Sequence, residues 1–225
     1  MKKSLIYRWF FYVLGLVTIA LGIILNTKSG FGVSAIISVA QSLSIISGVS
    51  IGDMTFVLYS VFVVMEIIIH CLQNKGKPKA AIIGKDLLQL PLSIVFTRVM
   101  NVFSDMIPSV EGVAARLLVL VLAIVLTGIG AAMSLDMRLV PNPGDGIVQA
   151  LADLTHKPVG LTKNCFDLLN VCITISIGLI FAGKIIGVGL GTILAMLGIG
   201  RIIALFNHIF LDKMSNLAGM ECAYA

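Results

Sequence analysis

Charge is scarce in this 225-residue chain. Only 12% of the residues are Asp, Glu, Lys or Arg and 58% are hydrophobic, whereas an average soluble domain carries about 25% charged residues. That balance excludes an ordinary soluble globule and leaves an integral membrane protein. Histidine is rarer still, with three in all, too few for a metal cage. There is no His-Glu-x-x-His and no Ser/His/Asp arrangement with supporting context, so an enzyme is not expected. Cys71, Cys165, Cys172 and Cys222 form no C-x-x-C pair and no Cys/His metal spacing, and read as small apolar thiols. The net charge of +5 is what Lys- and Arg-rich cytoplasmic loops give a membrane protein. It forms no patch of the kind that binds nucleic acid, and no cofactor is expected.

What the chain has instead is apolar runs, at residues 9–26, 54–72, 82–103, 117–135, 165–182 and 185–206. Each approaches the roughly 20 residues that span a hydrocarbon core, and together they leave no room for a separate soluble domain. The first follows Lys2 and Lys3, as a signal peptide would, but it is long and lacks a small-x-small cleavage site before Asn26. It is expected to be a retained first helix. Two runs are too short to cross: 33–47, "VSAIISVAQSLSIIS", and 146–154, "GIVQALADL".

The chain also repeats itself. At an offset of 108, Arg8 meets Arg116, Gly22 meets Gly130, Gln41 meets Gln149 and Gly52 meets Gly160. At an offset of 103, "IIG" at 82–84 meets "IIG" at 185–187, Arg98 meets Arg201 and Phe103 meets Phe206. Matches of Arg, Gln and Gly are informative in a composition this rich in Ile and Leu. Each half reads as long, short, long, long, with one repeat over about 8–106 and a second over about 114–210. If the short segments do not cross, each half crosses three times and the second is inverted. Loop charge favours this. It places Lys2, Lys3, Arg8, Lys75, Lys77, Lys79, Arg138, Lys157, Lys163 and Lys213 inside, and only Lys28, Arg116 and Lys184 outside. The expected fold is an all-α polytopic membrane protein. It has six transmembrane helices plus two short re-entrant or interfacial helices, in a bacterial inner membrane with both termini cytoplasmic.

Non-helical backbone at membrane depth survives only where protein buries it or water lines it. A Gly/Pro-broken segment in both halves therefore points to a binding site. On that ground a solute path is expected along Gln41, Gln149 and Asp153 of the two short segments, with the alternative that both lie flat among headgroups. Asp145 in "PGDG" reads either as a ligand to solute or as a helix N-cap. Glu66, in mid-helix, should face the protein interior or a cavity. Asp167, Asn170 and Thr174 form a polar stripe facing inward; the alternative is helix–helix hydrogen bonding for Asn170 and Thr174 and simple solvation at the cytoplasmic edge for Asp167. Arg98 and Arg201 either snorkel to the interface or form a pair of cations that draws an anionic or carboxylate-bearing solute. Lys85 and Asp86 read as a solvated ion pair. The glycine-dense "IIGVGLGTILAMLGIG" reads as a close-packing surface.

"PGDGIVQAL", "KPVGLTKNCFDLLNV" and "GVGLGTILAMLGIGRII" resemble the YczE/YyaS/YitT group of bacterial integral membrane proteins, from about Arg8 to Phe206. Where related members often show Pro-Trp-Asp after the first glycine turn, this chain has Ser34, Ala35 and Ile36. The resemblance implies a bacterial inner-membrane protein and supplies no substrate. The function expected is a transporter or permease for a small, anionic solute. A substrate-binding membrane subunit working with an ATPase partner, or a non-transporting scaffold or regulator, stand as alternatives. The bilayer, a small solute and a homo-oligomeric copy are the partners considered.

Overall fold

The computed structural model describes residues 2–73 and 80–220. Cys222 and the lysines at 75, 77 and 79 lie outside the described residues. Among the described residues the chain is all helical, in the order α1 (Lys2–Ser29), α2 (Ala35–Ser47), α3 (Ile51–Gln73), α4 (Ala80–Met106), α5 (Val113–Asp136), α6 (Pro143–Thr155), α7 (Val159–Ala182) and α8 (Leu190–Leu217). Six are long and apolar enough to cross a membrane. The other two, α2 and α6, have 13 residues each, about 20 Å at 1.5 Å per residue, and fall short of a core about 30 Å thick.

The breaks that shorten α2 and α6 follow from local chemistry. Gly30 (φ +70°) and Gly32 (φ +99°) end α1, and Asn142 with Pro143 restarts the chain into α6. Pro143 takes the first helical position, where its missing N–H costs nothing. The offset of 108 reaches beyond residue identity: it carries Ala35–Ser47 onto Pro143–Thr155 and the start of α3, Ile51, onto that of α7, Val159. It also carries the left-handed Gly30 and Gly48 onto the left-handed Arg138 and His156, although neither of those is glycine.

At the centre α1 packs along α5, backbone against backbone. A Cβ added to Gly130 would stand 2.6 Å from the Gly15 carbonyl oxygen and 2.7 Å from the Ile19 nitrogen. One added to Gly22 would fall on the Thr127 hydroxyl and 3.0 Å from the Ala123 carbonyl oxygen. The offset maps each of these contacts onto the other. In lipid, where burying apolar surface gains little, such small-residue contacts and interhelical hydrogen bonds hold helices together.

Two arginines pin the ends of this pair. Arg8 Nε donates to the Met137 carbonyl at 2.7 Å, and Arg116 Nε donates to the Ser29 carbonyl at 2.6 Å; donor and acceptor again both differ by 108. These bonds also fix direction. The face where α1 begins, here the near face, holds the ends of α3, α5, α6 and α8 and the starts of α4 and α7. Gly219 lies against Ser4 there. The far face holds the ends of α1, α2, α4 and α7.

Around the central pair, α1 packs on α4 and α5 on α8, α2 on α7 and α3 on α6, and α2 on α3 and α6 on α7. The pattern breaks at the last helix: α3 packs closely on α4, but α7 hardly touches α8, which reaches α1 and α2 instead. The last helix also starts later than its apolar run. Residues 185–189 are not helical and Gly187 has φ +80°. The "IIG" there is thus a connector, while the "IIG" at 82–84 is inside α4. Gly189 and Gly191 let this connector and the first turn of α8 lie on Phe31, and the Gly191 N–H donates to the Phe31 carbonyl at 2.8 Å. Leu190, Ile193, Leu194 and Leu197 point outward, as a lipid-facing helix requires.

Candidate functional site

Three cavities follow one another through the fold. A far vestibule of about 650 Å³ is lined by the ends of α1, α2 and α4 and the starts of α3 and α5, with Gln41, Asp53, Asn101 and Arg116 among its walls. A near cavity of about 520 Å³ is lined by Glu66, His70, Asp86, Asp145, Gln149 and Lys163 among others. Between them a central cavity of about 370 Å³ takes in the first turns of both short helices.

The central cavity is built in pairs. Ile19 and Thr127, Ile23 and Ala131, Ser34 and Asn142, Ile36 and Gly144, Ile37 and Asp145, and Tyr59 and Asp167 all line it, and the two members of each pair are 108 apart. The starts of α2 and α6 meet here: a Cβ on Gly144 would lie 3.3 Å from Ile36 Cγ2 and 3.9 Å from the Tyr59 ring. Ser34 and Asn142 occupy the N-cap positions and neither makes a capping side-chain hydrogen bond. The outer cavities show the same relation, with Gln41 in the vestibule and Gln149 in the near cavity. The near and central cavities share Leu135, Asp145, Lys163 and Ile203. Among the described residues the far vestibule shares no wall with the central cavity.

Charge gathers at the seam. Lys163 Nζ lies 3.7 Å from Asp145 Oδ1. Asp145 therefore stands at the shared wall in an ion pair; it is the third residue of α6, and the N-cap position belongs to Asn142. Asp167, one turn after Lys163 on α7, is buried and lines the central cavity.

Glu66 is 1% exposed. Gln89 Nε2 donates to its Oε2 at 2.6 Å, while its Oε1 has no hydrogen-bond partner among the described residues. Both carboxyl oxygens lie where a side chain on Gly146 would begin, 2.7 and 2.8 Å from its would-be Cβ. The offset carries Glu66 to Thr174 and Ser38 to Gly146. At that second place the Ser38 and Thr174 hydroxyls bond each other at 2.7 Å. One half thus closes the contact between short and long helix with two hydroxyls, and the other with an acid and a glycine that makes room for it. One turn further on, His70 Nδ1 and Asp86 Oδ2 are 2.7 Å apart. Asp86 is buried at 4% exposure rather than solvated beside Lys85. Glu66→Ala should lower the melting temperature in detergent, because it leaves the Gln89 amide buried without its acceptor, a cost of about 1–3 kcal/mol. Glu66→Gln, which keeps an oxygen in place, should lose less.

The remaining expected residues are dispersed. Gln41 lines the vestibule with its amide oxygen buried and, among the described residues, unpartnered. Gln149 donates to Asp153 at 2.9 Å along the exposed side of α6, which takes Asp153 away from the central cavity. Asn170 is buried and donates to the Phe166 carbonyl at 2.8 Å, a bond within its own helix. Arg98 and Arg201 are not brought together. Arg98 pairs with Asp53 at 2.6 Å on the far side, and Arg201 is exposed on α8 and lines none of the three cavities. From sequence alone Tyr59, Gln89 and Asn142 do not stand out as site residues, and Lys163 reads only as loop charge. The signal for Lys163 was its place four residues before Asp167, on the same helical face.

A family model described as "Family of unknown function (DUF6198)" matches residues 6–208. The chain is similar to the "Uncharacterized membrane protein YczE" of Bacillus subtilis (strain 168), 26% identical over 206 residues, which cover 90% of this chain and 86% of that protein. No solved structure matches it.

Proposed function

Since the chain belongs to the DUF6198 family of unknown function and is a multi-pass membrane protein, we propose that it carries a small solute across the bacterial plasma membrane. The solute binds where the two short helices meet and is exposed to one side at a time. The observation that carries this reading is the chain of three cavities. The central one is walled by residue pairs 108 apart and, among the described residues, shares walls with the near cavity and none with the far vestibule. Two inverted repeats about an axis in the membrane plane would produce that arrangement, with a central site and two outer cavities that exchange roles. Arg8, Lys85, Arg138, Lys157 and Lys163 gather toward the near face, which by the positive-inside rule is cytoplasmic. The conformation is then inward-open.

The starts of α2 and α6 supply helix N–H groups and the positive ends of two dipoles at the central cavity, a setting that favours an anionic group on the solute. The purified protein in liposomes should take up solute from a labelled metabolite mixture. Protein-containing liposomes that stay as inert as empty ones across broad panels would overturn the proposal. Uptake by the isolated protein would also exclude a binding subunit that needs an ATPase.

A further inference from the structure

The central cavity presents both signs of charge on different walls. The first turn of α2 brings N–H groups that the Ser34 side chain does not cap, and that of α6 adds the Gly144 N–H, since Pro143 has none and the Asp145 N–H donates to the Asn142 carbonyl; each terminus is worth roughly half a positive charge. On α7, Asp167 lines the same cavity. It is 6% exposed, and among the described residues it makes no hydrogen bond or ion pair. Lys163, one turn away, makes its ion pair with Asp145 and attracts Asp167 only from further off. A buried carboxyl without a partner is costly, and here the free volume beside it is where a partner would sit. The walls between these poles include Ile19, Ile23, Met196 and Ile199. An anion alone would be attracted by the helix starts and repelled by Asp167; a cation alone would meet the reverse.

We propose, on the basis of the transport reading above, that the solute is a zwitterion with an apolar body. Its anionic group lies on the paired starts of α2 and α6 and its ammonium on Asp167. At about 370 Å³ the cavity is at the small end of organic-ligand pockets, which suits a molecule of amino-acid or betaine size. Two routes reach it. One runs through the near cavity by way of Asp145 and Lys163. The other passes between α7 and α8, which hardly touch, where Gly160, Asn164 and Gly200 line the cavity and are exposed. The same pair of charges is therefore within reach of a free solute and of a zwitterionic lipid headgroup.

The test uses the full chain in phosphatidylglycerol nanodiscs. Labelled leucine and glycine betaine are compared with their uncharged-end isosteres, isocaproate and tert-butylacetate, and phosphatidylethanolamine is added to the disc as a further arm. At least one zwitterion should bind, with its isostere weaker by about 30-fold or more, as loss of one partner of a desolvated charge pair requires. Asp167→Asn should bring the zwitterion down to the level of its isostere and, by removing the repulsion, leave the isostere no weaker than on wild type. Binding by a free probe identifies a soluble solute, and binding by phosphatidylethanolamine alone identifies the headgroup; either supports the site. Isosteres that bind as well as the zwitterions, an Asp167→Asn protein that melts like wild type and binds unchanged, or no binding by any zwitterion, free or lipid-borne, would each overturn it. Zwitterion binding without liposome uptake removes the transport reading and keeps the site. Isostere uptake that Asp167→Asn leaves intact does the reverse.

Discussion

Gly130→Leu should leave no folded protein. The added side chain would start 2.6 Å from the Gly15 carbonyl oxygen and 2.7 Å from the Ile19 nitrogen, both backbone atoms of α1. No rotamer escapes, because the clash is at Cβ itself. Overpacking against side chains costs typically about 1–3 kcal/mol. Here the facing helix must move as a body, which would draw Arg8 and Tyr12 away from the Met137 and Val140 carbonyls. Fluorescence-detected size exclusion of a tagged chain should show the monodisperse peak lost. Gly84→Leu on α4, where an added Cβ meets nothing within 4 Å, should keep it. A monodisperse, normally melting Gly130→Leu protein would mean that α1 and α5 do not lie backbone to backbone.

Much of this frame is legible in the sequence, and the reason is chemical. Arg, Gln and Gly are few enough in an Ile- and Leu-rich chain that their recurrence carries information, and the residues found that way include the ones that hold the fold. Arg8 and Arg116 pin α5 and α1 through one kind of bond, and Gly22 and Gly130 set the closest approach. The short helices were legible because glycine and proline interrupt them. The fourth helix of each half was not. Its offset of 103 lines up a helical "IIG" with a connector, because α4 is packed along α3 whereas α8 stands away from α7 on the side of α5. Arg98 and Arg201 lose their equivalence for the same reason. Burial of single polar residues was also hidden. Asp86 beside Lys85 reads as a solvated pair until α3 places His70 against it, and Asp145 in a glycine turn reads as a ligand or a cap, with nothing local to show that α7 brings Lys163 to it. Such partners come from elsewhere in the chain, and local pattern says nothing of them.

Two adjacent residues on α8 should behave in opposite ways. Gly200 lines the central cavity, and a Cβ added there meets nothing within 4 Å. Gly200→Phe can therefore enter without displacing the backbone, and it replaces the helix's weakest former but proline with a better one. Its ring would occupy the space in which the solute is proposed to sit, so uptake into liposomes should fall to the level of empty vesicles while the melting temperature holds or rises. Gly160→Phe, at the same cavity on α7 and equally unobstructed, should do likewise. Arg201→Ala removes a full charge one residue further along, yet that side chain is exposed and lines none of the three cavities. Uptake by Arg201→Ala should equal wild type. The contrast separates a path through the central cavity from one steered by the two arginines. If Arg201→Ala is inert while Gly200→Phe and Gly160→Phe transport normally, the solute does not pass between the short helices.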